Sequence, residues 1–400
     1  MVTAKPEYQK SFPYVLRLLA SVLNNTQPPK PNPDTDWASV FLVSKLHSVA
    51  GMVYYALSKL PSELRPEGKL WEEFSACYQE QLIYDTNIRL ETQRLIDILY
   101  DKGVTVVPIK GYVISNDYPV PALRSMADID MIYQEQDSQI VSDVFCSEGY
   151  TLKSFDREQL IFFKKPFHHY EMHSKLLPPT KVSYNYFSDF WDRVLMDESS
   201  HTGYISENDS YIYMLEHLAK HLESGGAGIR LIMDIYVYHR AHKDAFDEDY
   251  LTVELNKLKL LEFRRVIESL AYNWFFGDNP DTTTGVADFI LCSCTFGTSG
   301  NSLMQMAIRS ESESGKKFSP LFHLAKRVFP PYKFICQRFA FAKKSPLLYP
   351  VFLPAYWFRR LFREKNVSLR NAGYYFEGTD SQRGRYLKTI MKDFGLDSRI

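Results

Sequence analysis

The hydrophobic pattern changes period several times along the chain, and each change marks an element. From Tyr8 to Leu60 apolar residues recur at helical intervals, broken by a proline-rich stretch from Gln27 to Asp34. Within that region Trp37 to Leu60 carries Phe41, Leu42, Leu46, Val49, Val53 and Leu57 at helix-like spacing. Leu70 to Lys102 reads as one long helix, with Leu82, Leu90, Leu95, Ile98 and Leu99 among its apolar positions and Gly103 as its stop. The pattern then tightens to a β-branched run, Val104 to Ile109, which predicts a buried strand. A short connection through Lys110-Gly111 and the turn at Tyr118-Pro119 leads to Asp128-Ile129-Asp130 and a second apolar run, Met131 to Tyr133. Asp137 to Ser147 fits a helix with Ile140, Val141, Val144 and Phe145 inward. Three strands are expected next, at Tyr150 to Phe155, Gln159 to Lys164 and Phe167 to His173, the first two joined by a polar turn at Asp156-Arg157-Glu158.

Beyond Pro178 helical character dominates. Helices are expected at Ser210 to Leu222 and from Ile229 to about His242, separated by the glycine-rich loop 224–228, with Asp247 to Phe276 continuing helical. Val286 to Thr298 is another apolar segment, and the serine-rich stretch Ser299 to Lys317 reads as a loop or the flank of a short helix. The order of elements predicts an α+β chain in three parts: a helical region at 1–102, an α/β core at 103–200 holding a sheet of about five strands, and a helical region at 201–400.

A period of two also sorts side chains by face. Asp128 and Asp130 fall on one side of their strand and Ile129 on the other. In the last strand His169, Glu171 and His173 share a face, opposite His168, Tyr170 and Met172. Carboxylates held side by side repel unless a cation lies between them, and hard divalent ions take oxygen ligands. If the two strands are neighbours, Glu171 becomes a third carboxylate.

Composition narrows the partners. In 400 residues, 45% are hydrophobic and 24% charged, which is ordinary for a globular chain. The formal net charge of −1 gives no global attraction to nucleic acid, so stable DNA binding is not expected. Five scattered cysteines form no zinc-binding spacing and suit a reducing compartment. The N-terminus lacks the apolar core of a signal peptide, and no apolar run approaches the roughly 20 residues that span a bilayer, so a cytoplasmic location is expected. The segment 326–365 interleaves basic residues, among them Arg359 and Arg360, with aromatics such as Tyr356 and Trp357. That mixture suits a core with solvated charge, peripheral contact with an anionic membrane surface or acceptor, or single-stranded nucleic acid. Its prolines, Pro350 and Pro354 included, are expected to break any long helix there.

Lys110-Gly111 followed by Y-P-x-P-x-x-R-x-x-x-D-I-D, from Tyr118 to Asp130, resembles the signature of the uncharacterised bacterial nucleotidyltransferase family within the polymerase-β-like superfamily. The likeness extends to the E-x-H strand (Glu171, His173), the histidine-bearing helix followed by Arg230 and Asp234, and the F-P-P and R-R run near Phe329 to Arg360. It implies a small mixed β-sheet with helices, flanked by helical regions. It also implies Mg²⁺-dependent transfer of a nucleoside monophosphate, with Mn²⁺ able to substitute, from an NTP (ATP the expected donor) to an unidentified hydroxyl or amine acceptor. Asp128, Asp130 and Glu171 would then be the catalytic and metal-binding residues. Lys110, Gly111, Arg124, His217, His221 and Arg230 would bind nucleotide and phosphate, Gly111 because a missing side chain lets phosphate approach the backbone. Arg230 and Asp234, four apart, could instead pair with each other. The wider superfamily has Gly-Ser where this chain has Lys110-Gly111, which removes a hydroxyl from the phosphate end. A catalytically inactive nucleotide- or partner-binding module on the same fold, associated with envelope polysaccharide synthesis at the membrane surface, is the alternative.

Overall fold

The last strand of the core, β5 (His168–His173), lies parallel to β2 (Ile129–Tyr133), and this pairing lies inside the five-stranded sheet. β1 (Val106–Pro108) joins the outer side of β2 antiparallel. β4 (Gln159–Lys164) and β3 (Thr151–Phe155) extend the far side of β5, giving the mixed order β1-β2-β5-β4-β3. The computed structural model describes residues 6–155, 159–177, 182–277, 279–295, 297–315, 329–332, 335–336, 349–363 and 378–399. The expected turn at Asp156-Arg157-Glu158 and about half of the basic–aromatic segment 326–365 lie outside these residues.

Alternation gives the sheet two unlike faces. Ile129, Met131 and Tyr133 of β2, with Tyr170 and Met172 of β5, point to one side. There they pack on α4 (Gly68–Asp101), through Ile88, Leu95, Ile96 and Leu99, and on α6 (Ser138–Ser147), through Val141, Val144 and Phe145. Phe145 stacks on Phe162 of β4 at 4.3 Å. Each such side chain contributes roughly 1.5–3 kcal/mol by leaving water. Ile140, expected inward, and Leu90, an apolar position of the long helix, are exposed at 37% and 70%, because the packed stripe of each helix is narrower than its apolar content.

The other sheet face meets a larger core built from the helices on either side in sequence. These include α1 (Pro6–Leu23), α2 (Trp37–Leu46), α3 (Ala50–Leu57), α7 (Glu207–Glu223), α8 (Ile229–His242), α9 (Glu248–Lys257), α10 (Leu261–Phe275) and α11 (Gly285–Ser293). The three regions read from sequence thus share packing, since Val107 and Ile132 of the sheet belong to this helical core. Trp37 to Leu60 is two helices, not one: Ser48 turns to a φ of 57° and directs buried His47 at α8, where the Ile229 N–H donates to its Nδ1 at 3.3 Å. Asp247 to Phe276 likewise divides, with Lys259 at a positive φ between α9 and α10.

Two further expectations are corrected. The serine-rich stretch is α12 (Ser299–Ser314), capped by Thr298 and anchored by buried Met304, Ala307 and Ile308. A helix also runs from Tyr349 to Arg363 (α13) with Pro354 inside it, where a break was expected. A short hairpin, β6 (Leu195–Asp197) and β7 (Thr202–Tyr204), gave too brief an alternation to be read, and α14 (Gln382–Asp393) packs on α11 and α12. Among the described residues no helix is long and apolar enough to cross a membrane.

Candidate active site

The polar face of the β2–β5 pair opens into a cavity of about 270 Å³ between the sheet and helices α7 and α8. All nine residues singled out from sequence line it: Lys110, Gly111, Arg124, Asp128, Asp130, Glu171, His217, His221 and Arg230. The sheet supplies the acids. Asp130 and Glu171 are paired across the parallel register, and Asp128 precedes β2 by one residue. Two overlapping groups result, Asp128–His169–Glu171 and Asp130–Glu171–His173, with the potential ligand atoms of each within 4.8 Å of one another.

Cations and donors already surround the acids. Lys110 Nζ donates to Asp130 Oδ1 at 2.6 Å, and His173 Nε2 lies 2.9 Å from the same oxygen. Gln159 Nε2 donates to Glu171 Oε2 at 2.7 Å. Lys110 occupies a φ of 56° at the entrance to the short helix α5 (Gly111–Ile114), a conformation that costs a non-glycine residue energy and is held here by its surroundings.

These contacts separate the three carboxylates. Burial would raise Asp130, but Lys110 and His173 outweigh it and hold the carboxyl at about 2. Asp128 is raised, by burial and then by Asp130. Glu171 is raised too, by burial and then by Asp130 and Asp128. Lys110 stays protonated: burial alone would lower it, while Tyr213, Asp130 and Asp128 hold it above the usual lysine value. One acid is therefore firmly ionised, and two neighbours are poised to take a proton or a cation.

The helical wall is different. His217 and His221, one turn apart on α7, approach Nε2 to Nε2 at 3.1 Å. Burial, reinforced by Lys110, holds His217 well below the ordinary imidazole value. Burial, then Lys220 and Lys110, bring His221 to about 4. At neutral pH this is a pair of uncharged rings. Arg230, lowered to about 10 by burial and the nearby Arg124, remains charged and donates from Nη1 to the Ser125 carbonyl at 2.8 Å.

Arg124 corrects the sequence reading. Its Nη2 and Nε donate to the two carboxylate oxygens of Asp234 at 2.6 and 3.1 Å, and the Tyr118 hydroxyl adds a third bond to Asp234 at 2.7 Å. The buried fork ties the stretch before β2 to α8, so the guanidinium is a brace and not an uncommitted phosphate ligand. Asp234 pairs with Arg124 and not with Arg230, because α8 turns it toward the Pro121–Leu123 turn from which Arg124 emerges. Gly111 changes meaning as well. A β-carbon there would collide with the Arg124 guanidinium, so the missing side chain makes room for the brace. Tyr213 and Thr295, which also line the cavity, carried no signal in the sequence, whereas His169 was placed beside Glu171 by alternation alone.

A family model described as "Uncharacterised nucleotidyltransferase" matches residues 33–276 of the 400. The chain belongs to that family. The matched span carries every side chain of the acidic cluster and both α7 histidines of the cavity, and it ends at Phe276, before α11. Membership in this nucleotidyltransferase family gives the chain a general nucleotidyltransferase role with a nucleoside triphosphate as substrate. No curated protein and no solved structure matches the chain.

The cluster also fits the divalent ion such transferases usually need. Three carboxylates converge in one half-buried place with oxygen donors for a hard cation, with His169 and His173 at the margin.

Proposed function

We propose that the cavity transfers a nucleoside monophosphate from an NTP to an acceptor hydroxyl or amine, with Mg²⁺ or Mn²⁺ held by Asp128, Asp130 and Glu171. The observation that carries this is the convergence of those three carboxylates with Lys110 on a single sheet face. Bound there, a divalent ion would offset triphosphate charge and favour the deprotonated acceptor.

The chain's own groups divide the remaining work. Lys110 and Arg230 bring positive charge to the cavity lining and would hold the phosphates, as phosphoryl transfer depends on neutralisation and alignment. His217 and His221, kept neutral, would contact the nucleotide through hydrogen bonds and not as cations. Glu171, with its raised carboxyl, suits a general base. In the reaction the acceptor oxygen bonds to the α-phosphorus and its proton passes to Glu171. The bond from that phosphorus to the bridging oxygen breaks, and pyrophosphate leaves with the electron pair. ATP is the donor to try first, and a cytoplasmic setting supplies it.

The test is pyrophosphate release from labelled NTPs with Mg²⁺ and cell extract as acceptor pool, wild type against Asp130→Ala. Release by the wild type that the variant loses supports the reading; equal signals from both would end it. Saturation of Asp130 Oδ1 by Lys110 and His173 favours one other reading, nucleotide binding without turnover. Under that reading nucleotide binds, no product forms, and binding survives Asp128→Ala and Asp130→Ala. Liposome flotation of wild type against a double Arg359→Glu, Arg360→Glu variant tests membrane-surface contact separately.

A further inference from the structure

Helix α7 presents two unlike stripes. Tyr213, His217, Lys220 and His221 line the cavity. Glu216 and Glu223, about two turns apart, are turned into the protein instead and are 0% and 5% exposed. The stretch between those two carboxylates carries both histidines. A buried carboxylate is costly unless it is paired and hydrogen-bonded, so its partners decide how the helix is held.

One side chain meets both acids. Arg399, in the short turn Asp397–Arg399, donates from Nη2 to Glu216 Oε2 at 2.7 Å and from Nε to Glu223 Oε1 at 2.8 Å. Its Nη1 donates to the Leu258 carbonyl at 2.6 Å, at the C-terminal end of α9. The remaining carboxylate oxygens are taken as well. Ser183 donates to Glu216 Oε1 at 2.5 Å, and Arg309 of α12 donates to Glu223 Oε2 at 3.1 Å. Apolar packing against α8, α9 and α10 is non-directional and lets a helix turn or slide. A planar guanidinium bonded in three directions does not, so the clamp fixes the rotation and height at which α7 offers its histidines. Both arginines lie outside the matched span 33–276.

We infer, on the nucleotidyl-transfer reading of the cavity, that Arg399 is a positioning residue for the nucleotide, acting through His217 and His221. The two rings approach Nε2 to Nε2 at 3.1 Å, and a small rotation of α7 moves both away from the nucleotide together. A misplacement of about 1 Å in a positioning group costs on the order of 10²-fold in rate. Lysine cannot stand in for Arg399, because a point charge lacks the fork that spans two carboxylates and a carbonyl. Coupling of this kind is reciprocal: a clamp that improves nucleotide binding is itself tightened when the nucleotide binds.

The test uses the full chain with Mg²⁺; ATP, GTP, CTP and UTP are titrated in turn, and the tightest is carried forward. In calorimetry Arg399→Lys should weaken that nucleotide at least threefold while its unfolding stays cooperative. The same substitution should cost less in a His217→Ala, His221→Ala background, where the rings it acts through are gone. In the wild type, hydrogen exchange at residues 397–399 should slow when the nucleotide saturates the protein. That measurement needs no variant, so it decides the matter even if Arg399→Lys fails to fold. Affinity within threefold of wild type, an equal loss in both backgrounds, or exchange that the nucleotide leaves unchanged overturns the positioning role and leaves Arg399 as a fold contact. If none of the four nucleotides binds the wild type, the nucleotidyl-transfer reading fails instead.

Discussion

Two ion pairs, one on either side of Asp128, use the same chemistry for opposite ends. Arg124–Asp234 is closed: both carboxylate oxygens are taken by one guanidinium, a tyrosine adds a third bond, and the pair is buried. Lys110–Asp130 is open: the ammonium meets a single oxygen, that oxygen is shared with His173, and Asp128 and Glu171 stand nearby with raised carboxyls. A closed pair fixes geometry. An open one keeps a charge imbalance that a cationic or anionic ligand can resolve, and only the second is suited to chemistry.

That contrast is breakable by experiment. The largest effect is expected at Asp234→Ala, which leaves Arg124 buried without its partner and should cost about 3–5 kcal/mol in chemical denaturation. Next, Asp130→Ala should lower pyrophosphate release by about 10²–10³-fold, the usual scale for loss of an electrostatic group at a reacting centre, at less than half that cost in stability. If the two variants lose stability equally, the distinction between brace and site falls. Third, Glu171→Gln should abolish the acidic limb of the pH–rate profile while raising stability at pH 7, because the folded protein disfavours the ionised carboxyl. A destabilised Glu171→Gln with an unaltered pH profile would remove the base assignment.

The smallest effect is a pH dependence of stability. His221 titrates near 4 in the folded chain and near 6.5 when unfolded, so the unfolded state binds the proton first. The stability this ring contributes is complete above about pH 6.5 and is lost as pH falls toward 4. Asp130, held at about 2, adds a later loss, beginning only below the ordinary aspartate value near 4. Denaturation midpoints measured between pH 7 and 4.5 should therefore fall less steeply in His221→Asn than in wild type.

What could be read from the chain follows the same division. The open site was legible because it depends on alternation: Asp128, Asp130, Glu171 and His169 were assigned to faces by period alone, and the parallel register brings those faces together. The brace was not legible, because Arg124 and Asp234 are 110 residues apart and nothing local says which arginine Asp234 will meet. The role of Gly111 was misread for the same reason, since the group needing its space arrives from elsewhere in the fold. The regular elements came through well, from α4 to α8, whereas breaks such as Ser48 depended on a contact with a helix some 180 residues on. The region after Phe276 was the hardest: α12 was read as a loop or the flank of a short helix, and prolines were expected to break any long helix where α13 runs.

The β2–β5 register carries a consequence for how this chain tolerates changes in length. A single residue inserted near the start of β5 would turn Tyr170 and Met172 into the cavity and send His169, Glu171 and His173 against Phe145 and Tyr133. Insertion between β3 and β4, by contrast, leaves β5 in step. Natural or engineered indels should therefore be sorted sharply by position: free between β3 and β4, forbidden in the six residues from His168 to His173.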